Sequence, residues 1–183
     1  MYTLNDKWTL WLHLPYDTDW SINSYKKVTT FDTLEDCIIL IENINKEIVE
    51  KCMLFIMKNN IKPIWEDSEN NKGGYLSYKI NSEYVYDVWK KLNYYLIGGT
   101  LINDEDILNN INGISISPKK NFCIIKFWIK NSEIFKKSKF YQELIIEKNS
   151  ALQECEKKDP LKLDILCNIE KQHCLFKEHQ ILY

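Results

Sequence analysis

The stretch GISISPKKNFCIIKFWI, residues 113–129, holds two β-rich runs separated only by PKKN. Four residues are too few for the crossover that parallel neighbours need, so the runs form an antiparallel pair closed by a tight turn. Outward from this pair, alternating or β-rich runs recur at residues 8–14, 25–31, 52–57, 75–80, 161–167 and 180–183, giving about eight strands. Three helical patterns lie between them. The first begins at FDTLEDCIILIENI, where Asp32 with Glu35, or Thr33 with Asp36, makes a capping box before an apolar stripe at Leu34, Cys37, Ile38, Ile41 and Ile44. The second, SEYVYDVWKKLNYYLIGG, is expected to be capped by Ser82 and closed at Gly98, and the third, NSEIFKKSKFYQELI, to be capped by Asn131 or Ser132. The Asn/Lys-rich pieces NINKEIVEK, ENNKGG and EKNSALQECEKKDP read as loops or helix ends. The expected fold is α+β: a curved, mainly antiparallel sheet of about eight strands with three helices on its convex face, leaving the other face as a cleft.

At 183 residues the chain suits one domain spanning 1–183, long enough to bury its core without metals or disulfides. Its longest apolar runs, CIILI and IIKFWI, are too short to cross a bilayer. No charged-then-apolar leader opens it, and six cysteines without framework spacing read as reduced thiols, so a cytoplasmic location is expected. A net charge of −2 excludes a general polyanion binder, so any nucleic-acid contact must be local. All 24 basic residues are Lys, which with abundant Ile, Asn and Tyr points to an AT-rich source such as a parasite or a large DNA virus. Phosphate would then be held by ammonium point charges instead of guanidinium forks.

The loop IKPIWEDSENNKGGY, residues 61–75, puts an indole directly before two carboxylates. Burial of Trp65 there is awkward, because unpaired charge is costly to desolvate. Either the loop is accidental surface or it binds something flat and cationic. Trp20 sits in a second loop, LPYDTDWSINSY, and two indoles from separate loops can stack on both faces of a planar ring, more strongly if that ring is cationic. Glu66 beside such a sandwich can accept two parallel hydrogen bonds, matching the adjacent donors of guanine. Asp67 reads as an acceptor for N–H groups of its own loop. Trp8, Trp11 and Trp89 lie within strand or helix patterns and read as core, and His13 reads as packing.

Several segments together resemble the cap-binding translation initiation factor 4E family. WTLWLHLP is similar to that family's W-x-L-W strand, FDTLEDC to F-D-T-V-E-D-F, and IKPIWEDSENNKGGY to I-x-P-x-W-E-D-x-x-N-x-x-G-G. LIGGTLINDEDILNNINGISISPKK and FCIIKFWIKN follow the family's later segments. The resemblance implies that Trp20 and Trp65 sandwich 7-methylguanine, that Glu66 accepts its ring N–H and amino group, that the Trp65 backbone N–H meets its carbonyl, and that Trp128 touches the methyl group. Lys119 stands where the family holds the cap phosphates. The chain departs at three family phosphate positions, which are Tyr75, Asn121 and Ile124 here. Lys126, on the same strand face as Ile124 and Trp128, and Lys120 at the turn are the expected replacements.

The same resemblance implies capped mRNA and a translation-initiation scaffold as partners. The family's scaffold patch falls on Leu34, Ile38, Lys90, Lys91 and Tyr94, where Ile38 replaces an exposed Trp and the two Lys replace Leu and Glu. Loss of such an indole costs about 2 kcal/mol or more, so a divergent scaffold with acidic groups is expected. Two alternatives stand beside initiation: a cap-binding repressor without productive scaffold binding, and an interaction module with a degenerate pocket. Cys167, His173, Cys174 and His179 match no common zinc spacing, so no metal or other cofactor is expected. No nucleophile, phosphate-cradling loop or catalytic triad can be assembled, so the chain is not read as an enzyme.

Overall fold

The computed structural model describes residues 1–142 and 174–179. Seven strands form one antiparallel sheet: β1 (Thr3–His13), β2 (Tyr25–Thr33), β3 (Met53–Lys58), β4 (Gly74–Asn81), β5 (Ile111–Pro118), β6 (Phe122–Ile129) and β7 (Cys174–Glu178), in spatial order β2-β1-β3-β5-β6-β4-β7. The PKKN join closes the β5–β6 pair as expected, with the Lys119 N–H donating to the Phe122 carbonyl at 2.8 Å. Among the described residues the sheet is curved and unclosed, with β2 and β7 at its edges. The strands read at residues 161–167 and 180–183 lie outside the described residues. β7 was not among the expected strands, because CLFKE is short, charged and weakly alternating.

Period-two alternation sorts the side chains between two layers. Leu10, Leu54, Ile56, Leu76, Tyr78, Ile114, Ile116, Ile125, Phe127 and Ile129 point to the helices and form the main core with Cys37, Ile41, Val88, Trp89, Leu92 and Leu96. Each fully buried aliphatic chain there is worth roughly 1.5 to 3 kcal/mol. The opposite face carries a second, smaller cluster of Trp11, Phe55, Met57, Ile61 and Trp128.

Among the described residues the α-helices are α1 (Leu34–Asn43), α2 (Lys46–Lys51), α3 (Val85–Ile97), α4 (Glu105–Asn109) and α5 (Ser132–Lys137), and residues 139–142 are helical again after a bend at Ser138. The α1 cap is the Thr33/Asp36 pair: the Asp36 N–H donates to Thr33 Oγ1, and the Thr33 hydroxyl donates to Asp36 Oδ2 at 2.7 Å. Ser82 does not cap α3. A turn through Asn81 and Ser82 leads in, and Tyr84 stands at the helix start without a side-chain cap. Gly98 closes α3 as expected, with Gly99 at φ +71° completing the turn. Asn131 caps α5 through Oδ1, which accepts from the Glu133 and Ile134 N–H groups. α2 falls in NINKEIVEK, read as a loop or helix end, and α4 was not among the three expected helices; Asn45 and Asp104 cap them. No helix among the described residues is long and apolar enough to cross a membrane.

The Gly73–Gly74 pair joins three strands closely. A Cβ on Gly73 would overlap the Ile129 carbonyl of β6, and one on Gly74 would overlap the Lys177 carbonyl of β7. The glycines therefore let β4 lie tightly against both neighbours.

Candidate functional site

The face opposite the helices is floored by Trp128, Tyr75 and their neighbours. Trp128 is 4% exposed and its indole N–H donates to Ser115 Oγ at 3.0 Å, so the ring is fixed with one edge in the floor. Trp8, Trp11 and Trp89 are also buried, at 9% exposure or less. Only Trp20, at 58%, and Trp65, at 40%, keep open indole surface.

Trp20 lies in the β1–β2 connection and stacks on His13, with ring centroids 4.5 Å apart and planes 4° from parallel. His13 is fully buried and its Nε2 lies 2.9 Å from the Asp19 carbonyl. Because a carbonyl only accepts, Nε2–H donates this bond. Asp19 holds the loop by accepting from both the Ser21 N–H and hydroxyl, which keeps its carboxyl below the usual range.

Trp65 and Glu66 lie in the β3–β4 connection, which is locked by side chains of its own. Asp67 accepts from the Lys62 and Glu69 N–H groups, as expected of it. Fully buried Asn70 donates to the Lys62 and Ile64 carbonyls and accepts from Asn112 of β5. The Trp65 ring stacks on His179 at 5.4 Å and on Tyr75 at 6.5 Å, and His179 also meets Trp128 at 5.4 Å.

Charge is segregated along this face. At one end Tyr25 is pushed up to about 12, chiefly by burial and further by Glu66 and Asp19, so carboxylates from both Trp-bearing loops face one phenol. At the other end lysines gather. Lys126 stands with its ammonium 4.1 Å from the Tyr75 ring centroid. Burial, then Lys119 and Lys177, hold it below its ordinary value. His179 is lowered to about 4, by burial first and Lys126 second. Neither His179 nitrogen has a hydrogen-bond partner among the described residues.

The predicted site residues thus fall into groups. Trp65 and Trp128 share a ring cluster through His179; Glu66 joins Asp19 of the Trp20 loop around Tyr25; Lys119 and Lys126 share the basic end, and Lys120 is exposed on the same turn. Leu34, Ile38, Lys90, Lys91 and Tyr94 lie away on α1 and α3. There Glu42 is ion-paired to Lys90 and accepts from the Tyr94 hydroxyl at 2.6 Å, so Lys90 is already matched within the chain. His13, Tyr25, Lys177 and His179 were missed as site neighbours. The period-two spacing of Leu175, Lys177 and His179 was the available signal for the last two. Of the zinc candidates, Cys167 and His173 lie outside the described residues, and Cys174 and His179 face opposite sides of the sheet. A separate cavity of about 660 Å³, lined by Glu69, Lys72, Asp106, Asn109, Lys130 and other polar residues, contains none of the predicted residues.

The sequence profile described as Eukaryotic initiation factor 4E matches residues 3–180. The chain is 30% identical over 139 residues to the eukaryotic translation initiation factor 4E of Saccharomyces cerevisiae, covering 72% of this chain and 63% of that protein. It is 27% identical over 135 residues to a homolog from Acanthamoeba polyphaga mimivirus, covering 62% of this chain and 50% of that protein. The chain therefore spans less than two thirds of the length of these relatives. In fold it is similar to C. elegans eIF4E-3, solved with the 4E-binding protein Mextli and a cap analog, at TM-score 0.66 and 19% identity over 85% of this chain and 88% of that one. Ascaris suum eIF4E-3, solved with the m7G cap, gives TM-score 0.64 and 24% identity over 81% of each chain.

Proposed function

Because the chain belongs to the eukaryotic initiation factor 4E family, we propose that its open face binds the 7-methylguanosine cap of mRNA and that it acts in cytoplasmic translation initiation as a binding protein, not an enzyme. The observation that carries this is the match between the face and a ligand with a cationic ring and an anionic tail. Two half-open indoles line the face, two carboxylates meet at Tyr25, and lysines without an acidic partner among the described residues gather around Tyr75.

Trp20 and Trp65 take the methylated base between them, each stack contributing roughly 1 to 3 kcal/mol. N7-methylation gives the purine a positive charge, which the electron-rich indole faces prefer. Glu66 accepts from the guanine ring N–H and amino group, a charge-assisted pair of bonds. Trp128 closes the floor beside the methyl group. The triphosphate runs toward Lys119, Lys120 and Lys126. Tyr75, which stands where the family has a basic residue, seats the Lys126 ammonium on its ring.

Retention on 7-methylguanosine-triphosphate resin, with elution by the free methylated nucleotide and not by GTP, tests this reading. Glu66→Ala should abolish retention; retention unchanged by Glu66→Ala and by Trp65→Ala would overturn it.

The scaffold surface is proposed at Leu34 and Ile38 of α1, both exposed, with Lys91 of α3 as the outward cation. A repressor reading is favoured by one observation: the Glu42 clamp on Lys90 and Tyr94 leaves this surface with little charge to offer an acidic scaffold. A scaffold that binds the chain only when Ile38 is intact separates initiation from repression.

A further inference from the structure

We propose that Lys177, presented by the edge strand β7, is a phosphate-binding residue of the cap site and works as a pair with Lys126 across Tyr75; this rests on the cap-binding reading above. The register carries the inference. Tyr75 of β4 lies directly opposite Trp128 of β6 on one side and Lys177 of β7 on the other. Tyr75 and Trp128 belong to the open face, while Cys174 and Phe176 of β7 pack into the helix-side core, so alternation turns Lys177 to the open face. Cross-strand neighbours have Cβ atoms about 4.5 to 5.5 Å apart. Lys177 therefore rises beside the phenol ring on which the Lys126 ammonium rests.

Among the described residues, the other charged groups of β4 and β7 are engaged elsewhere. Glu178 faces the opposite way and pairs with Lys136 of α5 at 2.8 Å. Lys79, further along the open face of β4, is turned onto the Phe122 ring at 4.5 Å. The charges acting on Lys126 are those of Lys119 and Lys177. Like charges so placed repel one another until an anion lies between them. A polyphosphate supplies that anion, and its terminal phosphates are the part long enough to reach the sheet edge.

This assignment also accounts for the departures from the family pattern. Position 75 carries no charge, and Asn121 and Ile124 carry none either. Lys126 and Lys177 restore two positive charges from new positions, one per strand flanking β4. The property expected of such a pair is discrimination by phosphate number.

Titration of the full chain and of Lys177→Gln with 7-methylguanosine tri-, di- and monophosphate and with the 7-methylguanosine nucleoside tests it. Lys177 is exposed on an edge strand, so the variant should fold, and equal melting temperatures check this. Lys177→Gln should weaken triphosphate binding about three- to tenfold and flatten its salt dependence. The loss should shrink as phosphates are removed and vanish for the nucleoside, and Lys177→Arg should restore binding. An equal loss for nucleoside and triphosphate, or no loss for either, overturns the assignment. The cap reading fails separately: if the unmodified protein binds GTP as tightly as its 7-methyl form while Lys177→Gln weakens both, the lysine pair stands as an anion site and the cap assignment falls.

Discussion

At the scale of single residues, His13 deserves as much weight as the tryptophan it supports. An indole on an exposed loop loses rotamer freedom when a ligand arrives, and a parallel partner at 4.5 Å removes that freedom beforehand. Replacing His13 with Ala should therefore weaken binding of 7-methylguanosine triphosphate about three- to tenfold, the worth of one aromatic pair. His13→Phe, which keeps a ring under Trp20, should recover most of the loss in a fluorescence titration. His179 makes a prediction of a different kind. Its folded value of about 4 lies below the usual 6.5. Above pH 6.5 the ring is neutral in folded and unfolded chains alike and contributes no pH dependence. As pH falls from 6.5 towards 4, the unfolded chain takes up a proton that the folded site refuses, so stability drops across that window and levels off below it. Thermal melts of His179→Phe should show a flatter decline between pH 6.5 and 4 than the parent chain. The loop placement of Trp20, Trp65, Glu66 and Asp67 could be read from sequence because turn-forming residue types flank them. His179 and Lys177 could not, since each meets its partners across about fifty to a hundred residues of chain, through a register that only pairing reveals.

At the scale of elements, the Trp65 loop and β7 depend on one junction. Asn70, itself fully buried, makes bonds to two loop carbonyls and to Asn112. Asn70→Ala leaves those groups unpaired and should cost about 2 kcal/mol or more in urea unfolding. Gly74 admits β7 by lacking a Cβ where the Lys177 carbonyl passes. Gly74→Ala should loosen β7, seen as faster hydrogen exchange at residues 174–179 with β1 to β3 unaffected. The motif W-E-D-x-x-N-x-x-G-G was legible as a string, and its physical content is this junction: an anchoring amide and two close backbone approaches. The short helices α2 and α4 were not legible as helices, because five or six residues give no apolar period to read. Their Asn45 and Asp104 caps were the only local signal.

At the scale of the whole molecule, the antiparallel sheet divides labour between its faces. One side is closed by helices, and the other stays open with acid and base at separate ends. Such a division lets the surface on α1 and α3 change without touching the ligand face. Ile38→Asp should accordingly leave affinity for 7-methylguanosine triphosphate within about twofold while abolishing scaffold capture. The fold class was legible because one four-residue join forced antiparallel pairing and the remaining pattern followed. The charge division was not, because Glu66 and Asp19 are brought together at Tyr25 by strands far apart in sequence.

The most direct measurement is the quenching of tryptophan fluorescence by 7-methylguanosine triphosphate against GTP, each at fixed ionic strength. Selection of a cationic ring between Trp20 and Trp65 predicts a preference of about tenfold or more for the methylated ligand, at least about 1.4 kcal/mol. The preference should disappear in Trp20→Ala and in Trp65→Ala. Equal affinities for the two nucleotides, or a preference that survives both replacements, would contradict the account.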